Sequence, residues 1–189
     1  MSHSYRLFDT AIGRCGLAWG PQGIVAVQLP QPSEAQTRTR LSQRVGPADE
    51  APPPPAIAAA IADMVALLRG EARDLTAIAL DLSGVPEFNR KVYAIARTIP
   101  PGATMGYGDI ARRLGGVALS RDVGQALGQN PCPIVVPCHR VLAAGGKPGG
   151  FSANGGTATK LKMLAIEGAY VNHTPSLFDY VAPRQPGNA

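Results

Sequence analysis

The chain has 189 residues, of which 45% are hydrophobic, 16% charged and 5% aromatic. That is enough apolar material for one well-buried domain or two small ones, and it excludes coiled-coil, collagen-like and highly charged disordered classes. Eighteen Lys and Arg against thirteen Asp and Glu leave a net charge of +5, a mild basic excess compatible with a nucleic-acid partner. No apolar run approaches the ~20 residues of a membrane-spanning helix, so no membrane partner is expected. The opening MSHSYRLFDT lacks the basic stretch and apolar core of a signal peptide. Three Cys argue against a disulfide framework and for a reducing, cytoplasmic setting in which a free thiol survives.

The N-terminal third reads as β structure. Residues 5–8, 16–19 and 24–28 are short strand-like runs, and Gly20-Pro21-Gln22-Gly23 is a turn signal between the last two. Residues 33–44 read as a short polar helix. The segment 47–55 (PADEAPPPP) excludes a helix interior or a central strand and reads as a polyproline-type surface connection. Residues 56–68 form an Ala-rich helix with Ile57, Ile61, Val65 and Leu68 at helical spacing and Gly70 as its stop. Residues 75–82 alternate like a strand, and a domain boundary is placed near 83–86.

The remainder reads as helical. Residues 88–99 place Phe88, Val92, Ile95 and Ala96 on one helix face, ended by Pro100-Pro101-Gly102. Residues 107–114 and 120–127 form two short helices around Gly115-Gly116, with Ser120 as a candidate N-cap. Ile110, Ala111 and Leu114 face Val123 and Leu127 across the pair, which is helix-turn-helix spacing. Residues 134–136 read as a short buried strand bounded by prolines. Residues 145–156 form a loop with six of the chain's glycines. Residues 159–167 form a last helix with Leu161, Leu164 and Ala165 inward, and 170–189 read as a loose tail. There is no internal repeat.

Cys138 is the candidate nucleophile. It sits between Pro137 and His139-Arg140, and an adjacent imidazole and guanidinium lower a thiol pKa and favour the thiolate. Cys15 and Cys132 lack such neighbours and read as inert. His139 and Cys138 would point to opposite sides of an extended chain, so a bridging water or a turn at Cys138 is required for them to cooperate. The imidazole then needs a carboxylate to hold its tautomer. Glu167 is the candidate, although on helix position alone an ordinary solvated helix-end charge is the favoured reading. Cys132, Cys138 and His139 do not make a zinc pattern, so no metal is expected. The glycine loop fits neither a phosphate loop nor a hydrolase nucleophile elbow.

Taken together, NPCPIVVPCHRV, the upstream YGDIARRLGG…SRDVGQALGQN and the downstream GGFS…GG…KLKMLAIEG resemble the O6-alkylguanine-DNA alkyltransferase family over residues 88–168. The resemblance implies an α/β (α+β) fold. A small N-terminal sheet-plus-helix domain (1–83) is followed by a helical, winged helix-turn-helix-like alkyltransferase domain (84–169). It implies direct-reversal DNA repair: an alkyl group moves irreversibly from guanine O6, and from thymine O4, to Cys138 after base flipping. The partner is double-stranded DNA carrying the lesion, approached through the minor groove by a monomer without a cofactor.

Residue roles follow from the same resemblance. Cys138 is the alkyl acceptor, His139 the base acting through a water, and Glu167 the group that orients His139. Asn130 braces the site, and Tyr107 donates a proton to the leaving guanine. Arg121 fills the gap left by the flipped base, and Asn89, Arg90, Tyr107 and Ser120 join it on DNA. Phe151, Ser152, Val141 and Met105 form the base pocket. Three departures stand out: the inserted pair Ala153-Asn154, an acidic Asp122 at the start of the second helix, and an N-terminal domain without a zinc-binding Cys/His set.

Overall fold

The structure, a computed structural model, describes residues 3–171. Most of the expected tail therefore lies outside the described residues. Strands β1 (His3–Thr10), β2 (Gly13–Gly20) and β3 (Gly23–Gln28) form an antiparallel meander. A short strand β4 (Ala48–Glu50) adds in parallel to β1, giving the order β3-β2-β1-β4. The Pro-rich connection thus contributes an edge strand before Pro55 opens the next helix at its first position, where a missing N–H costs nothing.

Side-chain alternation sorts the sheet into two faces. Tyr5, Leu7, Ala18 and Ala26 pack with Leu41 of helix α1 (Glu34–Val45). Ser33 caps that helix by accepting the Gln36 N–H at 3.2 Å. Phe8, Cys15, Leu17, Trp19 and Val27 point the other way, into a core shared with helix α2 (Pro55–Leu67) and the C-terminal helices. One apolar cluster therefore runs from the sheet to Val92, Ile110, Val123 and Met163.

The expected strand over 75–82 is absent. Leu80 makes only an isolated bridge to Ile24. Arg97 donates to the carbonyls of Leu75, Thr76 and Ile78, which curls the segment and withdraws those acceptors from any ladder. The alternation of apolar residues reflects packing against β3, with Ile24 N–H donating to Ala79 O at 3.0 Å.

Helices α3 (Glu87–Arg97), α4 (Tyr107–Leu114) and α5 (Ser120–Gly128) pack on one another. Val92, Tyr93, Ala96, Ile110, Ala111, Val123 and Leu127 are all buried, so the facing stripes of the helix pair are real. The Tyr93 hydroxyl donates to Ala126 O at 2.8 Å and locks α3 to α5. Ser120 does not cap α5. A 3₁₀ turn at Val117–Leu119 runs directly into the helix, and the Ser120 hydroxyl donates back to Val117 O. In helix α6 (Gly156–Ile166) the inward residues are Lys160, Met163 and Leu164, while Ala165 is exposed.

Gly23 shows why its turn needs glycine. Its φ is +134, and a Cβ there would lie 2.6 Å from Ala79 O. Gly23→Ala is therefore expected to cost about 1–3 kcal/mol. Gly84→Ala, whose Cβ meets nothing within 4 Å, serves as the control and should change stability by less than ~0.5 kcal/mol. Urea denaturation of the two variants checks the contrast.

Candidate active site

The site is built on a chain of tight turns. Residues 134–136 are not a strand: Val136 N–H donates to Cys132 O at 2.8 Å, and Ile134 sits at φ +76. A β-branched residue resists that conformation, so its surroundings must impose it. Ile134 is buried, and β3 ties the segment down through Val27 N–H donating to Pro131 O at 2.8 Å. Asn130 closes the turn from within. Its Oδ1 accepts the Cys132 N–H at 2.9 Å and its Nδ2 donates to Val136 O at 2.8 Å. Pro137, at φ −80 and ψ 64, then forms an inverse γ-turn that brings Cys138 N–H within 2.8 Å of the same Val136 O.

Cys138–Arg140 is a single 3₁₀ turn, so the three side chains fan out rather than alternate. This is the turn that the Cys–His pair requires. His139 and Arg140 both reach Glu167 at the end of α6. His139 Nε2 lies 2.9 Å from Glu167 Oε1, and Arg140 donates through Nε to Oε2 and through Nη2 to Oε1, each at 2.8 Å. Arg140 Nη1 donates to Ile99 O at 2.6 Å. The Glu167 side chain is only 1% exposed, which replaces the solvated-charge alternative with a buried, fully paired carboxylate.

Burial raises the Glu167 pKa, but the hydrogen bonds from His139 and Arg140 override it and hold the carboxyl at about 2. Burial pushes the His139 pKa down, so the imidazole rests neutral. A neutral ring beside an ionised carboxylate donates from Nε2 and keeps its lone pair on Nδ1. Nδ1 is buried and meets no protein partner.

The thiol differs from the sequence expectation. Burial raises the Cys138 pKa above the ordinary value, with Asn130 and Lys160 pulling it partly back. Arg140 does not supply the expected activation, because its charge is spent on Glu167. Cys138 therefore rests as a thiol. Cys15 and Cys132 are fully buried, and desolvation pushes both to about 12, consistent with inert positions.

A parallel pairing of β5 (Met105–Gly106) with β6 (Val141–Leu142) brings the start of α4 beside this turn. Asp109 accepts the Gly106 N–H at 2.9 Å and fixes that helix start. Tyr107 consequently lines a cavity of about 460 Å³ with Leu127, Cys138, Gly149, Phe151 and Ser152. Burial raises the Tyr107 pKa, so its hydroxyl keeps its proton. Met105 and Val141, expected in the pocket, instead form the ladder beneath it. Val141 is fully buried and Met105 lines the neighbouring groove.

Lys160 belongs to the site and escaped the sequence reading. It is 0% exposed, and Nζ donates to Val141 O at 2.7 Å, 5.8 Å from the Tyr107 ring centre and 6.0 Å from that of Phe151. Burial lowers its pKa to about 8, with the nearby Cys138 opposing. A charge on the inward stripe of α6, next in register to Met163 and Leu164, was the available signal.

Beside the cavity, α4, α5 and residues 142–146 enclose a groove of about 790 Å³ lined by Arg112, Ser120 and Arg121. Arg121 and Asp122 are exposed, as is Arg90 on α3. Asn89 departs from its expected place on that surface: it is buried, and its amide donates to Gln129 Oε1 at 3.0 Å, bracing α3 against the end of α5. Among the described residues, no three His, Cys, Asp or Glu side chains cluster as a metal-ligand set.

The pH dependence of folding follows from the two shifted groups. The His139 pKa is lowered in the fold, so the unfolded chain takes up the proton first and stability falls as pH drops below 6.5. The Glu167 pKa is also lowered, so its contribution is complete above the ordinary 4.5 and is lost as pH falls towards about 2. Glu167→Gln is expected to lose that lower limb and to destabilise the protein at neutral pH by about 3 kcal/mol. Chemical denaturation of both proteins across pH checks this.

Residues 87–169 match the family model of the 6-O-methylguanine DNA methyltransferase DNA-binding domain. The methylated-DNA–protein-cysteine methyltransferase of Mycolicibacterium paratuberculosis is 36% identical over 175 residues, covering 93% of this chain and 98% of the relative. The crystal structure of the Mycobacterium tuberculosis O6-methylguanine methyltransferase superposes with a TM-score of 0.70 at 32% identity, covering 88% of this chain and 93% of that one. A structure of the M. tuberculosis protein in complex with DNA gives a TM-score of 0.66 at 32% identity, over 87% and 92% of the two chains. With matches spanning nearly its whole length, the chain belongs to the methylated-DNA–protein-cysteine methyltransferase family, the O6-alkylguanine-DNA alkyltransferases.

Proposed function

We propose that this protein repairs alkylated DNA by moving an alkyl group from guanine O6, and from thymine O4, onto its own Cys138. The observation that carries the reading is the pairing of Cys138, at the wall of the Tyr107–Phe151 cavity, with the buried His139–Glu167 pair behind it. Residues 84–169 bind DNA and accept the alkyl group, and residues 1–83 support them. The protein works as a monomer in the cytoplasm.

Guanine O6 is inaccessible to in-line attack within the stack, so the nucleotide must leave the duplex. The α4–α5 pair meets the minor groove, with Ser120 and Arg90 on the backbone. Exposed Arg121 enters the vacated space and lowers the unstacking cost. The extruded base enters the cavity between Tyr107 and Phe151, with Ser152 at its edge.

Cys138 Sγ then attacks the alkyl carbon. The S–C bond forms as the C–O6 bond breaks, and the electron pair leaves on guanine. The thiol proton passes through a water to His139 Nδ1, and Glu167 stabilises the imidazolium that results. Tyr107 supplies a proton to the departing base. The nearby Lys160 ammonium favours the thiolate at the moment of transfer. The product is a thioether, which thiol exchange does not reverse, so each molecule acts once.

Cys138→Ala should abolish alkyl uptake from O6-methylguanine DNA, read by intact mass. A label on Cys15 or Cys132 in that variant would overturn the assignment. Arg121→Ala should slow repair of duplex DNA by about ten- to a hundredfold and leave reaction with the free modified base nearly unchanged. Single-turnover rates on the two substrates check it, and equal losses would place Arg121 outside the flipping step.

A further inference from the structure

Cys138 borders two cavities. Besides the one assigned to the base, a second of about 240 Å³ opens on the N-terminal side. The two share Leu127, Cys138, Phe151 and Ser152, so they adjoin at the thiol. In an in-line displacement, sulfur, carbon and O6 lie on one axis. The other substituents of that carbon must leave the axis sideways, and a second cavity bordering the same sulfur offers them room.

The far wall of this cavity comes from α1 and the end of β3. It carries Arg40, Arg44 and three glutamine side chains, and among the described residues no carboxylate lines it. Arg40 and Arg44 stand four residues apart on one face of α1, and neither has an ion-pair partner among the described residues. Like charges at this spacing repel. Desolvation lowers the Arg44 pKa, and the neighbouring Arg40 lowers it further, while Cys132 and Cys138 act in the opposite sense. Gln28 is only 5% exposed, spends its amide N–H on Leu29 O at 2.8 Å, and leaves Oε1 without a partner. Gln28 Oε1 is an acceptor and offers an anion nothing, but two unneutralised guanidiniums with no carboxylate beside them make the wall a poor seat for an apolar chain and a good one for an anion.

We infer that the cavity between Cys138 and the Arg40–Arg44 face receives the anionic end of an alkyl lesion, so that O6-carboxymethylguanine is a preferred substrate class. The inference rests on the transfer reaction proposed above and adds its substrate selectivity. The step balances in the same way. Cys138 sulfur bonds the methylene carbon, the bond from that carbon to guanine O6 breaks, and the thiol proton leaves through His139. Guanine takes a proton from Tyr107, and the product is an S-carboxymethyl thioether whose carboxylate faces Arg44. A guanidinium–carboxylate contact is charge-assisted on both sides and is the strong form of such a bond.

The test uses the full chain and its Arg44→Gln and Arg40→Gln variants. Neither residue belongs to the transfer machinery, and both are exposed on α1. Single-turnover rates are read by intact mass on duplexes carrying O6-methyl-, O6-carboxymethyl- or O6-isobutylguanine, the last a neutral match in shape for carboxymethyl. The corresponding free bases are run in parallel. Arg44→Gln should slow carboxymethyl transfer about tenfold in duplex and free base alike. Methyl and isobutyl transfer should stay within about twofold of wild type. Equal losses on all three duplexes, with none on the free bases, would assign the arginines to backbone phosphate and overturn the inference. Unchanged carboxymethyl rates in both variants would overturn it too. A wild-type protein that gains no mass from any of the three duplexes or free bases would refute the broader repair reading; one that transfers methyl without any Arg44 effect on carboxymethyl refutes only this inference.

Discussion

The structure turns on one buried carboxylate. Glu167 holds His139 and Arg140, adjacent residues of one 3₁₀ turn, from the end of a helix 27 residues away from Arg140. Removing a carboxylate from water is costly, and here three charge-assisted contacts offset that cost. The same contacts set the chemistry. They direct His139 Nε2–H towards Glu167 and leave the Nδ1 lone pair free. They also draw the Arg140 charge away from the thiol, so that the nucleophile is not a thiolate at rest.

A resting thiol suits a protein whose product is a thioether. A permanently ionised Cys138 would be open to any electrophile, and each such encounter would spend a molecule. Burial instead keeps the proton on sulfur and leaves the neighbouring imidazole neutral. Lys160 adds a second charge whose own burial lowers its pKa to about 8. The acceptor is thus governed by the balance of desolvation against a few fixed charges, and not by its immediate sequence neighbours.

The N-terminal half contributes more than bulk to this arrangement. It shares one apolar cluster with the helices, and β3 ties down the turn that carries Ile134 in its unfavourable conformation. Helix α1 then closes the far side of Cys138 with a polar, cationic wall. The α4–α5 pair lines a groove on the other side, which also carries arginines, Arg112 and Arg121.

Much of this was legible in the chain itself. Residue pattern located the six α-helices, most of them by an apolar stripe that survives in any fold that buries it, but none of the 3₁₀ turns. The three meander strands were marked as short runs between turn signals such as Gly20-Pro21-Gln22-Gly23. The motif NPCPIVVPCHRV named Cys138, His139 and Asn130, and the spacing to α6 offered Glu167. What failed were segments whose conformation is set from outside. Residues 75–82 and 134–136 looked like strands from their apolar character, yet Arg97 curls the first, and Asn130 with β3 bends the second. Asn89 and Ala165 changed surfaces for the same reason, since helix periodicity gives a face but not what packs on it. The sequence by itself determined the elements and the reactive motif, because these depend on local spacing and residue type. Only the tertiary structure decided the protonation of Cys138 and His139, the burial of Lys160 and the partnering of Arg140, because desolvation and charge pairing depend on what the fold brings together.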